Sequence, residues 1–430
     1  MRKTVLSLLI LLSPLCLRAQ TAEQEILQQT VLSGSNYLAY RGPQKALTAA
    51  PKGYEPFYIS HYGRHGSRYL IGDDDYDWPL EQFTTAFEKN KLTPLGRDVM
   101  ERLQKIREES RKRDGELTEL GAEQHRQIAR RMYNRFPQVF KGDAPVDAKS
   151  TIVIRCILSM ENELQELIRC NPQLRITHDA SYHDMFYMNQ PDKKLDEKKM
   201  PQRAKVALDE FNRQYPVGDR VLNNLFNDPD YIHYDVNGEK LISVLFKLAS
   251  NLQSSELRKE ITLYDLFTPQ ELYNLWQRAN AWWYVTYGPS PLSGGVQPFS
   301  QRNLLRNIIQ QADSCMQLPK PGATLRFGHE TMVMPLTCLL GLNGYDRQIE
   351  DLNRVNAEGW HNFDIFPMGA NIQLIFYRNT KKGGPVLVKI LLNEDETTLP
   401  MADQSRAPYY IWEDVRQYYL NKLNSYKEEE

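Results

Sequence analysis

Arg64-His65-Gly66-Ser67-Arg68 places one histidine between two arginines, with a glycine at its shoulder. Guanidinium forks match phosphate oxygens in pairs. A neutral imidazole between two fixed cations could attack phosphorus and carry the phosphoryl group. The same cations would lower the energy of the crowded anionic transition state. Gly66 permits close backbone approach. The plain alternative is a solvated basic turn.

Two further pieces carry related chemistry. Arg155 closes the run Thr151-Ile152-Val153-Ile154-Arg155 and is either another phosphate-binding cation or an ordinary surface arginine. Arg326-Phe327-Gly328-His329-Glu330-Thr331 offers a second histidine and an acid. His329 could donate to a phosphate oxygen. Glu330 could act as general acid toward a leaving alcohol, or simply complement the dipole of the helix that follows. That helix start also offers free N–H groups to an anion.

All three pieces follow stretches that read as strands. Residues 54–62 mix aromatic and β-branched side chains and end at Gly63. Residues 151–154, TIVI, read as a short buried strand, and residues 323–328, ATLRFG, as another. Ligands of α/β folds gather at the carboxyl ends of strands. Thr118 is a good N-cap for a helix over 117–135, and 159–168 also reads as helix. Residues 370–378 and 384–394 flank a Lys-Lys-Gly-Gly turn and read as a β-hairpin. Between about 185 and 315 the texture is polar and helix-patterned. The expected fold class is α/β: a three-layer core with a mostly parallel sheet, plus a helical cap insertion. The core is assigned to 21–184 and 316–430, with some helical insertion at 76–150. The cap is assigned to 185–315.

The rest of the chain narrows the field. Of 430 residues, 41% are hydrophobic and 25% charged, an ordinary balance for a folded protein. Residues 1–20 pair Arg2 and Lys3 with a short apolar run and fit a secretory signal cleaved near Ala19 or Gln20. The expected location is therefore periplasmic or secreted, with no membrane span once the signal is removed. Without these residues, 50 basic side chains face 54 acidic ones, which argues against a nucleic-acid partner. Cys156, Cys170, Cys315 and Cys338 permit two disulfides or four small buried hydrophobes, and no Cys/His spacing suggests zinc. Asp73, Asp74, Asp75 and Asp77 read as a solvated acidic loop rather than a calcium site. His61, His125, His178, His183, His233 and His361 read as structural. Lys193, Lys194, Lys198 and Lys199 read as a solvated helix face that could meet a polyanion.

RHGSRY, LTELGAEQH, IRCILSM, FGHETMVMPL and the closing ANIQLIFYR and VLVKILLNE stretches together resemble the histidine phosphatase superfamily. The resemblance is to its branch of acid phosphatases and phytases, and within it to the multiple inositol polyphosphate phosphatases. It runs from about 54 to 400 and is weak through the cap. It implies a metal-independent phosphomonoesterase with no cofactor, acting on small phosphorylated substrates such as phytate. His65 matches the phosphorylated nucleophile, Arg64, Arg68 and Arg155 the phosphate clamp, and His329 the second pocket histidine. The family carries its proton donor in His-Asp or His-Ala-Glu, whereas this chain has His-Glu-Thr. Glu330 is the expected donor, one methylene longer than Asp and one position earlier than the usual Glu. The rivals are a broader acid or sugar-phosphate phosphatase, a phosphomutase, and a binding protein that holds a phosphorylated ligand without turnover.

Overall fold

Tyr58 and Tyr62 point to one side of the first strand and Ile59 to the other, the period-2 alternation of a strand buried on both faces. In the computed structural model, which describes residues 21–189, 192–381 and 383–427, this strand, β1 (Tyr54–Arg64), lies inside an eight-stranded sheet. The expected leader, residues 1–20, lies outside the described residues. The other strands are β2 (Pro145–Ser150), β3 (Arg175–Asp179), β4 (Gly322–Gly328), β5 (Asn371–Asn379), β6 (Leu387–Leu392), β7 (Asp395–Glu396) and β8 (Tyr410–Ile411). Their order is β3-β2-β4-β1-β5-β6-β7, with β8 on β6. The sheet is mixed: β3, β2, β4 and β1 run parallel, and the half from β5 onward is antiparallel.

Helices cover both faces. Helices α1 (Glu119–Arg135) and α2 (Ile154–Cys170) bury Ile128, Met132, Met160 and Leu164 against Ile59, Val146, Leu325 and Ile375. Thr118 caps α1 by accepting from the Gly121 amide. The opposite face is covered by α3 (Glu330–Leu340) and by the helices Arg302–Cys315 and Trp412–Ser425. Between β3 and β4 the described chain is helical or irregular. Its helices Arg220–Leu225 and Gly238–Asn251 share a core with Asp74–Glu88 and Pro94–Ser110, so one helical lobe is built from two stretches of sequence.

Two sequence expectations change, and one left open is decided. TIVI is not a strand: the chain pairs one stretch earlier, at Pro145–Ser150, where Val146, Ala148 and Ser150 alternate inward. Thr151 to Val153 form the bend into α2, and Ile154 is its first residue, so Arg155 sits in a helix's first turn. The acidic run is not a loop. Asp74, Asp75 and Asp77 open a helix, Asp73 and Asp77 pair with Arg107, and Asp75 pairs with Lys247. All four described cysteines are free thiols, two of them buried.

Candidate active site

Parallel register brings the chemistry together. Arg64 of β1 pairs with Gly328 of β4, so the next residue on each strand, His65 and His329, leaves the sheet side by side. Neighbouring strands lie about 4.8 Å apart, and the two imidazole centroids are 5.8 Å apart. Ser150 of β2 pairs with Phe327, which brings Thr151 beside the same corner. The Thr151 amide donates to the Phe327 carbonyl, and its hydroxyl lies 3.2 Å from His329 Nε2. Gly328 is required here, because a Cβ would come within 2.0 Å of the Tyr62 hydroxyl.

The 65–68 loop is held from all sides. The His65 amide donates to the Gly328 carbonyl, and the His65 carbonyl accepts from the Gly369 amide. The Gly66 amide donates to Ser159 Oγ of α2. The Ser67 amide donates to Gln124 Oε1 of α1, while Gln124 Nε2 donates to Ser67 Oγ. Gly66 and Gly121 touch backbone to backbone: a Cβ on either would meet the other segment's carbonyl oxygen at 2.2–2.4 Å.

Within this frame His65 Nδ1 lies 2.8 Å from the Gly66 carbonyl. A carbonyl only accepts, so Nδ1 carries the proton and Nε2 faces the cavity. Burial, with Arg64 and Arg68 adding to it against Glu330, pushes this imidazole well below its ordinary range, so it is neutral. Burial likewise takes His329 down to about 4. The Arg64 guanidinium is anchored through Nη1 to the carbonyls of Asn36 (2.7 Å) and Phe366 (2.8 Å). Arg68 Nη1 donates to the Tyr69 carbonyl, and its guanidinium lies 5.7 Å from the Tyr37 ring centroid. Glu330 reaches into the centre, 3.2 Å from Arg64 Nε, 3.4 Å from His65 Nε2 and 3.9 Å from Arg68 Nη2. Burial works to raise its pKa, but the guanidiniums of Arg64 and Arg68 outweigh it and hold the carboxyl well below the usual range.

These groups leave buried donors unused. Arg64 Nη2, Arg68 Nε and Arg155 Nε make no hydrogen bond, while Arg64 Nε and His65 Nε2 have only the Glu330 carboxylate, at 3.2 and 3.4 Å. Each such buried group costs about 1–3 kcal/mol unless an acceptor arrives. The set fits a tetrahedral oxyanion. His65, His329 and Glu330 hold potential metal-ligating atoms within 4.8 Å of one another. The guanidiniums of Arg64 and Arg68 in contact with Glu330, with Arg155 close by, make the cavity one for an anion rather than a cation.

The structure thus gathers Arg64, His65, Arg68, His329 and Glu330, with Arg155 at the rim against Gly115. Lys193, Lys194 and Lys198 lie on the short helix Lys193–Lys198 in the cap, and Lys199 caps it. Leu195 of that helix accepts from Gln297, and Gln301 in turn donates to the Thr331 carbonyl, so the lysines stand one layer from α3. Reading the sequence missed Thr151, Gln124, Gly121 and Tyr37 as parts of the site. The one available signal was a glycine in the first turn of an otherwise strong helix.

A family model of the histidine phosphatase superfamily (branch 2) matches residues 64–393. No curated protein matches the sequence. Among solved structures, the multiple inositol polyphosphate phosphatase of Bifidobacterium longum in complex with phosphate superposes with a TM-score of 0.71 at 17% identity, covering 90% of this chain and 97% of that one. Its complex with inositol hexasulfate gives 0.69 at 17% identity, covering 88% and 95%. The phytase from D. castellii gives 0.66 at 14% identity, covering 96% and 89%.

Proposed function

The chain belongs to the histidine phosphatase superfamily, branch 2, and from that premise we propose that it hydrolyses inositol polyphosphates of the phytate type through a phosphohistidine at His65. The observation that carries this reading is the set of buried guanidinium groups of Arg64, Arg68 and Arg155, each with N–H groups that make no hydrogen bond, converging around His65 Nε2. The similar structures hold phosphate and inositol hexasulfate, and another is a phytase.

His65 Nε2 attacks phosphorus as the ester P–O bond breaks. Arg64, Arg68, Arg155 and His329 hold the three other phosphoryl oxygens. Glu330 gives its proton to the departing alkoxide. Water then attacks phosphorus as the P–N bond breaks, Glu330 takes the water's proton, and phosphate leaves His65 neutral. Residues 1–20 would export the enzyme, so it acts in the periplasm or outside the cell.

One observation favours a second reading, a broader phosphomonoesterase. Ile71 and Arg155 meet at Gly115, and Ile71 (57% exposed) and Ile154 (69% exposed) give the rim near Arg155 an apolar element. Such a rim suits an aryl or alkyl ester better than a polyanion. Phosphate release from phytate and from p-nitrophenyl phosphate, measured with chelator present, tests both readings. Release from phytate that survives chelator and vanishes in His65→Ala is expected. A strong preference for the aryl ester moves the enzyme to the broader class. No release from either ester overturns the hydrolase reading.

A further inference from the structure

The Glu330 carboxylate stands where a substrate phosphoryl group has to stand. Its two oxygens span Arg64 Nε, Arg68 Nη2 and His65 Nε2 at 3.2, 3.9 and 3.4 Å. Reacting phosphorus must itself come within about 3–3.5 Å of the nucleophile. A carboxylate oxygen at 3.4 Å from Nε2 therefore excludes it.

We propose that Glu330 is a resident anion: it fills the phosphate position in the empty site, and a dianion enters by displacing it while Glu330 takes up one proton from solvent. The inference rests on the phosphate-site reading above and deepens it. The charged and titratable groups facing Glu330 are Arg64, Arg68, His65 and Tyr62 from β1 and its loop, Arg155 and Cys156 from α2, and its neighbour His329. With the site empty, the guanidiniums keep the carboxylate ionised. An arriving dianion takes over those guanidiniums and adds like charge beside the carboxylate, and both changes favour its protonation. The proton gained in this way is the one that the leaving alkoxide needs. The substrate's own charge loads the acid, and a donor that is ionised in the empty site becomes competent only when the site is filled.

Inorganic sulfate is the suitable probe, because it stays a dianion and brings no proton of its own. Binding is measured by titration calorimetry at neutral pH in buffers of different ionisation enthalpy, on the full chain and on Glu330→Gln and Glu330→Asp, each checked by thermal melt. The parent is expected to take up about one proton per sulfate, and Glu330→Gln none. Glu330→Gln is expected to bind sulfate roughly tenfold or more tighter, because no charge has to be expelled. Glu330→Asp, with the charge on a shorter arm, should fall between the two. Equal affinity of parent and Glu330→Gln, or sulfate binding by the parent without proton uptake, overturns the proposal. Ester hydrolysis is read separately. Both sulfate effects in a protein that releases no phosphate would sink the hydrolase reading and leave the resident anion standing, whereas normal hydrolysis without either effect sinks the resident anion alone.

Discussion

His65 is set up by one hydrogen bond. The Gly66 carbonyl fixes the proton on Nδ1 and so hands Nε2 to the cavity. Burial keeps the ring neutral, as a nucleophile must be. His65→Ala should therefore lower kcat by at least about a thousandfold while leaving the melting temperature near that of the parent. Arg68 is a narrower test. Its Nη1 is spent on the Tyr69 carbonyl, its Nε makes no hydrogen bond and its Nη2 lies 3.9 Å from Glu330, so the Nε–Nη2 edge is left for an oxyanion. Arg68→Lys keeps the charge but loses the fork, and kcat/KM should fall by roughly ten- to a hundredfold. A value near that of the parent would show that charge alone suffices.

Elements decide how well those residues are held. Helices α1 and α2 grip the 65–68 loop through Gln124 and Ser159, and Gly121 allows the contact. Gly121→Ala drives a Cβ to 2.2 Å from the Ser67 carbonyl, against backbone that cannot retreat. It should lower the melting temperature and reduce activity together, and a variant with parental activity would show that the loop is not clamped there. The two helices are also tied by Glu166, which accepts from Arg169 on its own helix and from Arg130 on α1. These bonds, that from Arg169 foremost, take its pKa from 4.5 down to about 2. The folded pKa is depressed, so the stabilisation is complete above the unfolded value and is lost as pH falls toward 2. In acid-unfolding curves Glu166→Gln should be less stable than the parent above about pH 4.5 and converge with it at the acid end.

Across the whole molecule, the helical lobe reaches the catalytic corner through Asn251 and Tyr76. Asn251 Nδ2 donates to the Arg68 carbonyl, and the Leu70 amide donates to the Tyr76 hydroxyl. The empty corner carries unpaired donors that a bound oxyanion would satisfy. Phosphate or inositol hexasulfate should raise the melting temperature, by an amount worth about 2.7 kcal/mol at a hundredfold excess over Kd. The gain should shrink in Arg64→Ala, and differential scanning calorimetry reads both. An unchanged melting temperature at saturating ligand would mean that the corner does not bind the anion.

RHGSR, FGHE and the α/β texture were legible because a catalytic cluster needs particular side chains within a few consecutive residues, and strand alternation is local. The strands of residues 54–62 and 323–328, the helix after Thr118 and the closing hairpin were readable for the same reason. Tertiary structure alone decided the rest. That His65 and His329 stand side by side follows from parallel register between strands some 260 residues apart, which no local pattern encodes. The TIVI run misled because β-branched content is a local preference that tertiary context overrides, and the neighbour that settles the matter, β4, comes much later in the chain. Gln124, Gly121 and Thr151 look like ordinary helix and loop residues until packing brings them to the nucleophile's loop and to His329. Glu330 of α3 meets Arg64 and Arg68 of β1 and its loop and lies in the field of Arg155 of α2, and only that meeting in space sets its ionisation.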